Sequence, residues 1–379
     1  MTRPLDGVLV ADFSRVLAGP LAAATLADLG AEVVKLERPG AGDDTRHWGP
    51  PWTDTSSSYF ECANRSKKSV ELDLADEEDL RLATELAARC DVLIENFRTG
   101  ALDRRGLGYA DVAARNPGVV YASITGFGSR EGADLAGYDF LVQAVGGLMS
   151  ITGGEQPTKV GVALVDVLTA KDAVVGILAA LRVRDLTGVG QWVEVNLLSS
   201  LLGSLVNQAS AYLTTGDAPR RMGNQHPSIA PYETLAARDG HVAVCCGNDA
   251  QFARLAAVIG VPGLATDTRF ATNPARVAHR DELVAALEAA LAADTVESWT
   301  DRLAAVGLPA GKVGTVADGF ALAERLGLEP TVDVGDGAPA QVRNPVTFSS
   351  SPITAYAAPP RLGEHNAEIR RWLTKENAR

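Results

Sequence analysis

Asp166 is the residue of this sequence whose position best suits covalent chemistry. It stands at the start of a predicted helix and follows a stretch rich in glycine, which lets a substrate approach the backbone closely. The glycines of this stretch are Gly146, Gly147, Gly153, Gly154 and Gly161. A carboxylate at the positive end of a helix stays ionised at pH 7, so Asp166 could attack a bound carbonyl carbon as a nucleophile.

A structural interpretation of Asp166 competes with this chemical one. Aspartate is a preferred residue at the N-terminal cap of a helix, where its carboxylate accepts hydrogen bonds from backbone N–H groups. Both interpretations use the same position at the helix start, and spacing alone does not choose between them.

The sequence does not support the other common catalytic and cofactor motifs. The turn from Ser14 to Pro20 contains one glycine and a proline, which disfavours the GxGxxG loop of a dinucleotide site. There is no GxxxxGKS/T phosphate loop and no GxSxG elbow. The five histidines share no ligand spacing with cysteine, aspartate or glutamate, so we predict no metal site and no permanently bound cofactor.

An alternation of strands and helices predicts the framework that must position Asp166. Strands are expected at 7–12, 32–36, 69–72, 91–94 and 119–124, with helices at 20–29 and 77–88. Such alternation favours an α/β fold with a mostly parallel sheet covered by helices. The pattern continues with a helix at 166–184, a strand at 191–195 and a second long helix at 197–213.

The pattern changes near Arg220. Short strands at 232–237 and 241–246 flank a turn, and helices are expected at 250–259, 280–292 and 296–305. We therefore predict a large domain that begins with residues 1–221, a small α+β domain at 222–327, and a return segment at 328–379 that packs on the large domain.

The composition excludes several classes of protein. The 379 residues include 35 basic and 47 acidic side chains, and the resulting net charge of −12 argues against nucleic-acid binding. No apolar run approaches the roughly 20 residues of a membrane-spanning helix, and no secretory signal pattern opens the chain. The four cysteines form no CxxC pair. We expect a cytoplasmic protein that binds neither nucleic acid nor membrane.

Several segments together resemble the family III CoA-transferases, the group that includes formyl-CoA transferase, carnitine CoA-transferase and α-methylacyl-CoA racemase. The similar segments are VADFSRVLAGPLAAATLADLGAEVVKLERPGAGDDTR (10–46), NRSKKSVELDL (64–74), DVLIENFRTGALDRRGLGY (91–109), SITGFG (123–128) and GYDFLVQAVGG (137–147). VALVD, ILAALRVRDLTGVGQWVEVNLLSSLL and the ending PPRLGEHNAEI extend the similarity over essentially the full chain.

The resemblance implies both a fold and an activity. The fold is a large Rossmann-like domain built from both ends of the chain, with a smaller domain, in a homodimer of two interlocked ring-shaped subunits. The activity is transfer of CoA from an acyl-CoA to a small free carboxylic acid. In such transferases an aspartate attacks the donor thioester, and the returning CoA thiolate forms an aspartyl-CoA thioester that the acceptor resolves. Asp166 matches that aspartate, which favours its interpretation as a nucleophile.

The resemblance also implies the residues that surround the substrate. The CoA-binding positions of the family match Leu17, Ala18, Arg38, Leu72, Asn96, Phe97, Arg98 and Arg104. The guanidinium groups of Arg38 and Arg104 suit the phosphates and adenine of CoA. Trp48 and Tyr59 match aromatic residues near the active site of formyl-CoA transferase, and Tyr138 completes the expected substrate pocket.

Two departures from the family pattern bear on the subclass. The racemases carry a histidine where this chain has Tyr138, and tyrosine, with a reference pKa of about 10, is a poor base at pH 7. Formyl-CoA transferase has glutamine at the position of Leu17 and a glycine-rich loop that MGNQHPS (222–228) lacks, so oxalate and formate are not favoured. The alternatives to a CoA-transferase are a 2-methylacyl-CoA racemase with another base, and a CoA-binding protein without catalysis.

Overall fold

The computed structural model describes residues 2–375, which form an α/β protein built on a six-stranded sheet. The strands are Leu9–Asp12 (β1), Glu32–Glu37 (β2), Lys67–Glu71 (β3), Val92–Glu95 (β4), Val120–Thr125 (β5) and Gln191–Asn196 (β6). Neighbouring strands are all parallel, in the order β3-β2-β1-β4-β5-β6. This is the strand order of doubly wound nucleotide-binding folds. The predicted α/β class is confirmed.

Helices pack on both faces of this sheet. The helices of the chain up to residue 215 are Ala18–Asp28 (α1), Ser58–Asn64 (α2), Glu77–Arg89 (α3), Tyr109–Arg115 (α4), Asp139–Val145 (α5), Leu148–Ile151 (α6), Leu164–Thr187 (α7), Leu197–Ser204 (α8) and Val206–Thr215 (α9). Short 3-10 turns lie at Asp44–His47 and Asp103–Arg105. Side chains of α1 and α7 form one apolar core with one face of the sheet, and those of α3 and α4 form a second with the opposite face. Because β4 is covered on both faces, all four of its residues are buried.

The two long helices near the middle of the chain differ from their predicted bounds. Helix α7 begins at Leu164, before the predicted start, which puts Asp166 in its first turn. It ends at Thr187, and the next residue, Gly188, has a φ of 75° and gives the left-handed cap that glycine adopts without strain. The helix predicted over 197–213 is two helices, α8 and α9, because Val206 has a φ of 41° that interrupts the helical backbone.

The chain divides into two compact units. The first comprises the described residues of 1–148, 160–217 and 329–379, and the second comprises 149–159 and 218–328. The second unit has an antiparallel sheet and a separate apolar core. Its strands and helices are Tyr232–Ala237 (β7), Gly240–Cys245 (β8), Asp249–Val258 (α10), Asn273–Ala278 (α11), Arg280–Leu291 (α12), Val296–Ala305 (α13), Ala310–Lys312 (β9) and Val316–Arg325 (α14), with a 3-10 turn at Pro262–Ala265. Residues 149–159, which the sequence analysis placed in the large domain, lie in this second unit.

The last described segment belongs to the first unit. It contains a two-stranded antiparallel ribbon, Thr331–Val332 (β10) and Gln341–Val342 (β11), and ends in the helix Asn366–Thr374 (α15). The apolar side of α15 buries Ile369 and Leu373 in the core that α3 shares with the sheet. The backbone N–H of His365 donates to the carbonyl of Ser69 on β3 at 3.0 Å. The part of this segment before residue 376 thus covers the outer strand of the parallel sheet.

None of the helices between residues 2 and 375 has the length and apolar character needed to cross a membrane.

Candidate active site

A cavity of about 360 Å³ opens at the carboxyl ends of β1, β4 and β5. In a doubly wound sheet, ligands bind at this place, because the connections that leave β1 and β4 in opposite directions create a crevice there. Most of its lining comes from residues 15–18 after β1, 96–99 after β4, 124–126 at the end of β5 and 132–138 before α5, together with Asp166.

Asp166 faces this cavity from the first turn of α7 and does not cap the helix. The cap position is Ala163, and its side chain makes no capping hydrogen bond. The carboxylate of Asp139 caps α7 instead, since its Oδ1 accepts from the N–H of Val165 at 2.7 Å and from that of Asp166 at 3.4 Å. The capping interpretation of Asp166 is therefore wrong, because another aspartate satisfies these N–H groups.

The Asp139 carboxylate is itself held in place. Its Oδ2 accepts from Nε2 of Gln143 at 2.7 Å, and Oε1 of Gln143 accepts from the N–H of Val160 at 2.9 Å. Gln143 has no solvent exposure. This buried amide fixes the side chain that orders the start of α7, and thereby fixes the backbone of Asp166.

Burial raises the pKa of Asp166 to about 7, and the negative charge of Asp139 adds to the shift. A carboxylate with a raised pKa is a stronger base and nucleophile than an ordinary aspartate, while a substantial fraction of it is still ionised near neutral pH. The environment of Asp166 therefore suits attack on an acyl carbon.

Tyr59, near the start of α2, lies close enough to Asp166 for their charges to interact. Burial raises the pKa of Tyr59 to about 12, and the negative charge of Asp166 contributes to this shift. The phenol is therefore neutral at physiological pH and can donate a hydrogen bond. Its ring meets that of Trp48 edge to face, with 5.4 Å between the centroids. The two aromatic residues predicted for the substrate pocket thus form one contact pair beside Asp166.

Two glycines bring a wall of the cavity close to the sheet. A Cβ atom on Gly137 would lie 2.3 Å from Cα of Gly126, so only glycine fits at this crossing of two backbones. Gly137 directly precedes Tyr138 and Asp139. The glycines that line the cavity are Gly126, Gly128, Gly132 and Gly137. The glycines between 146 and 161 that the sequence analysis favoured are absent from that lining.

Seven of the twelve predicted site residues line this one cavity. They are Leu17, Ala18, Asn96, Phe97, Arg98, Tyr138 and Asp166. Of the other five, Trp48 and Tyr59 form the aromatic pair described above. Arg38 and Arg104 are exposed, and Arg38 pairs with Asp44. The side chain of Leu72 is buried in the core, so this residue can offer a ligand only its main chain.

Sequence reasoning missed Arg15 and Asp139. Arg15 lines the cavity, and its backbone N–H and carbonyl are both held by the side-chain amide of Asn96, at 2.9 and 2.7 Å. Asn96 therefore has a structural task in addition to the ligand contact predicted for it. The only signal for Asp139 is its place after Tyr138 in GYDF, since its contact with α7 joins residues 26 positions apart.

Among residues 2–375, the structure has no group of three or more histidine, cysteine, aspartate or glutamate side chains that could hold a metal ion.

Comparison with known proteins identifies relatives over nearly the whole chain. The model of CoA-transferase family III matches residues 5–366. A succinyl-CoA:glutarate CoA-transferase of Mus musculus is 40% identical over 97% of this chain and 86% of its own length. A succinate–glutarate CoA-transferase of Agrobacterium fabrum is 40% identical over 97% of this chain and 94% of its own. An acetyl-CoA:oxalate CoA-transferase of Acetobacter aceti is 39% identical over 99% of this chain and 97% of its own.

The fold has counterparts among solved structures. A CaiB/BaiF family protein from Brucella suis superposes with a TM-score of 0.89, at 44% identity, over 98% of this chain and 100% of the other. A hypothetical protein from Mycobacterium tuberculosis superposes with a TM-score of 0.87, at 32% identity, over 97% and 99% of the two chains.

The Asp166→Asn variant should be more stable than the wild type, by a margin that grows from pH 4 to pH 7. In the folded protein the pKa of Asp166 is about 7, whereas the pKa of an ordinary aspartate is 3.8. Between these values folding takes up a proton, so the contribution of Asp166 to stability falls as the pH rises. Asparagine carries no such proton. Thermal unfolding at several pH values measures the difference in Tm, and a difference independent of pH would contradict the burial of this carboxylate.

Proposed function

Because this chain belongs to CoA-transferase family III, we propose that it transfers CoA through a covalent intermediate on Asp166. The resemblance inferred from the sequence is thereby confirmed, and the protein moves CoA between an acyl-CoA and a carboxylic acid. The observation that supports the intermediate is the single cavity that contains Asp166 and most of the residues expected to bind CoA.

In the proposed reaction an oxygen of the Asp166 carboxylate attacks the thioester carbonyl of the donor. The C–S bond breaks, CoA leaves as its thiolate, and a mixed anhydride forms on Asp166. The thiolate attacks the aspartyl carbonyl, releases the donor as a free carboxylate and leaves an aspartyl-CoA thioester. The acceptor carboxylate attacks this thioester and gives a second anhydride. The displaced thiolate then takes the acceptor acyl group and regenerates the Asp166 carboxylate.

The surroundings of Asp166 support these steps. The N-terminus of α7 places a partial positive charge near the reacting carbonyl oxygens, and Tyr59 is a neutral phenol that can donate a hydrogen bond to one of them. Asp139 acts through α7, because its carboxylate orders the first turn and keeps the Asp166 side chain turned to the cavity. Asp166 would thus be the catalytic residue and Asp139 a positioning residue.

We place CoA across the carboxyl ends of the strands, with its thioester at Asp166. Leu17, Ala18 and Phe97 line the cavity at the reacting end. Arg38 and Arg104 lie outside its lining, on exposed positions where guanidinium groups can meet the phosphates of a long ligand. In this placement Leu17, Ala18 and Phe97 contact the part of CoA near the thioester, and Arg38 and Arg104 contact its distant phosphates.

We propose a dicarboxylic acid of the glutarate type as the acceptor and succinyl-CoA as the donor. The named relatives pair succinyl-CoA or succinate with glutarate, or acetyl-CoA with oxalate, and all of these acceptors are dicarboxylic acids. In this chain the cavity lining includes two cations, Arg15 and Arg98. Arg98 pairs with Asp134 at an exposed position, and such pairs are weak enough to open for a substrate carboxylate.

We also propose the interlocked homodimer that the family resemblance implies. Helix α9 buries none of its residues within the chain, and Leu213 on it is 81% exposed. Val175 and Leu186 on α7 are exposed to 67% and 68%. Exposed apolar side chains such as these are typical of surfaces that pack against another protein.

Isotope labelling tests the intermediate on Asp166. When both carboxylate oxygens of the acceptor are ¹⁸O, each turnover removes one oxygen of Asp166 with the departing donor and replaces it with one ¹⁸O from the acceptor. Mass spectrometry of the peptide that contains Asp166 should therefore show one ¹⁸O after a single turnover and up to two after many. The Asp166→Ala variant, which has no carboxylate, should lose transfer by at least about a thousandfold. Transfer without label in the peptide, or undiminished transfer by the variant, would contradict the covalent route.

A matched pair of acceptors tests the substrate class. With succinyl-CoA as donor, we expect kcat/KM for glutarate to exceed that for pentanoate by at least about tenfold, because only glutarate offers a second carboxylate to the cations of the cavity. The two acids have carbon chains of equal length, so a difference reports on charge. Equal rates measured by chromatography of the product CoA esters would exclude a dicarboxylate site.

Subunit exchange tests the interlocking of the dimer. Two linked rings separate only if a chain unfolds, so native chains with two different tags should form no mixed dimers when mixed and incubated for hours. The same two chains should form mixed dimers when expressed together, which supplies the control. Light scattering after size exclusion should give twice the chain mass at every dilution. A monomer, or ready exchange in the mixture, would overturn the interlocked arrangement.

A further inference from the structure

Side chains bind the backbone of three successive residues in the turn after β1, Ser14, Arg15 and Val16. The N–H of Ser14 donates to Oδ1 of Asp12 at 3.0 Å, and its carbonyl accepts from Nζ of Lys35 at 2.9 Å. The next residue, Arg15, has both main-chain groups bound by Asn96. Turns are seldom held so completely, because backbone groups of surface loops usually find water.

Val16, the third residue of the turn, has an unusual backbone conformation. Its φ of 72° lies in the left-handed region, which is strongly disfavoured for a residue branched at Cβ. Its N–H donates to the two carboxylate oxygens of Asp43, at 3.2 and 3.3 Å. Left-handed residues of this kind persist only where the surroundings enforce them, and they concentrate at functional sites.

Asp43 is itself fixed within a buried cluster of charges. Its Oδ2 lies 3.0 Å from Nζ of Lys35, and both side chains have no solvent exposure. Its Oδ1 also accepts from the N–H and hydroxyl of Thr45, at 3.0 and 2.8 Å. The carboxylate that accepts from Val16 is thus bound by several other groups, and Lys35 contacts both this carboxylate and the Ser14 carbonyl.

The turn leads directly into the ligand cavity. Val16, Leu17 and Ala18 all line the cavity that contains Asp166, and α1 begins at Ala18. Because Val16 is left-handed, the chain reverses direction there and presents the next two residues to the cavity. If Val16 adopted a negative φ, the backbone of residues 16–18 would follow another path and this wall of the cavity would change shape.

We propose that Asp43, supported by Lys35, is a positioning residue for acyl-CoA binding, and that it acts by holding Val16 in the left-handed conformation. Asp43 does not itself line the cavity. Its effect on the ligand passes through the backbone of residues 16–18. The inference rests on the proposed acyl-CoA site, and it adds the interaction between Asp43 and Val16 that shapes the wall formed by residues 16–18.

A double-mutant cycle on Asp43 and Val16 tests this interaction. In the wild-type background, Asp43→Asn should lower kcat/KM for the acyl-CoA donor about tenfold, mainly through KM, and should change KM for the acceptor less than about twofold. Val16→Gly supplies the second background, because glycine adopts positive φ without strain, and the kcat/KM of this single variant is the reference for that background. In the Val16→Gly background, Asp43→Asn should then lower kcat/KM for the acyl-CoA donor by less than about threefold. An equal loss in both backgrounds would overturn the proposal.

The control variant is Asp28→Asn, which removes another buried carboxylate from an ion pair. Asp28 lies at the far end of α1 and pairs with Arg65 at 2.6 Å. This variant should lower Tm as Asp43→Asn does, yet leave KM for the acyl-CoA unchanged. If it raised that KM equally, Asp43 would have only a structural role. Should Asp43→Asn not fold, Asp43→Glu, which keeps the charge and displaces the carboxylate from Val16, takes its place in the cycle.

Calorimetric titration of CoA into the same variants separates this proposal from the proposed reaction. CoA binding does not require chemistry at Asp166, so the cycle should show the same interaction between positions 16 and 43 in the CoA dissociation constant. If the wild type incorporated no ¹⁸O at Asp166 while the binding cycle behaved as expected, the covalent route alone would fail. If label were incorporated and the binding cycle were additive, the positioning role of Asp43 would fail.

Discussion

A buried cluster of four charged side chains joins three neighbouring strands of the parallel sheet. Asp12, Lys35, Asp43 and Lys67 come from β1, β2, the segment after β2, and β3, and their side chains have no solvent exposure. Nζ of Lys67 donates to Asp12 at 2.8 Å and to the carbonyl of Pro20 in α1 at 2.9 Å. Removing one member of such a pair leaves an unpaired buried charge, at a cost of about 3–5 kcal/mol. The cluster therefore fixes the relative positions of three neighbouring strands and of the turn that forms the cavity wall.

The contrast between these aspartates and Asp166 shows how the fold assigns roles to one residue type. Burial opposes ionisation of Asp12 and Asp43, but the nearby lysines lower the pKa of both. Burial also acts on Asp166, yet its charged neighbour is Asp139, so its pKa is raised to about 7. Carboxylates paired with lysine are stable anions with a structural task. A carboxylate beside another carboxylate keeps the basicity that nucleophilic attack requires.

The sequence predicted the parts of this protein that depend on local pattern. Short apolar runs between helical segments marked strands of the parallel sheet, because strands covered on both faces are rich in apolar residues. The Asp166 position was likewise visible, as a carboxylate at a helix start after a stretch of glycine. Local pattern could not show the break at Val206, where the backbone leaves the helical region inside an apolar segment. Nor could it show that residues 149–159 join the second unit, since they do so through distant contacts.

By itself the sequence determined the class of fold, the family and a short set of candidate residues, because strand and helix periodicity and family motifs are properties of neighbouring residues. Only the tertiary structure decided what those residues do. It showed that Asp139, and not Asp166, caps α7. It also showed that Asn96 and Asp43 hold the turn at 15–16 across separations of 81 and 27 residues. The physical reason is the same in each case: hydrogen bonds and charge interactions act over a few ångströms in space, and chain separation does not limit them.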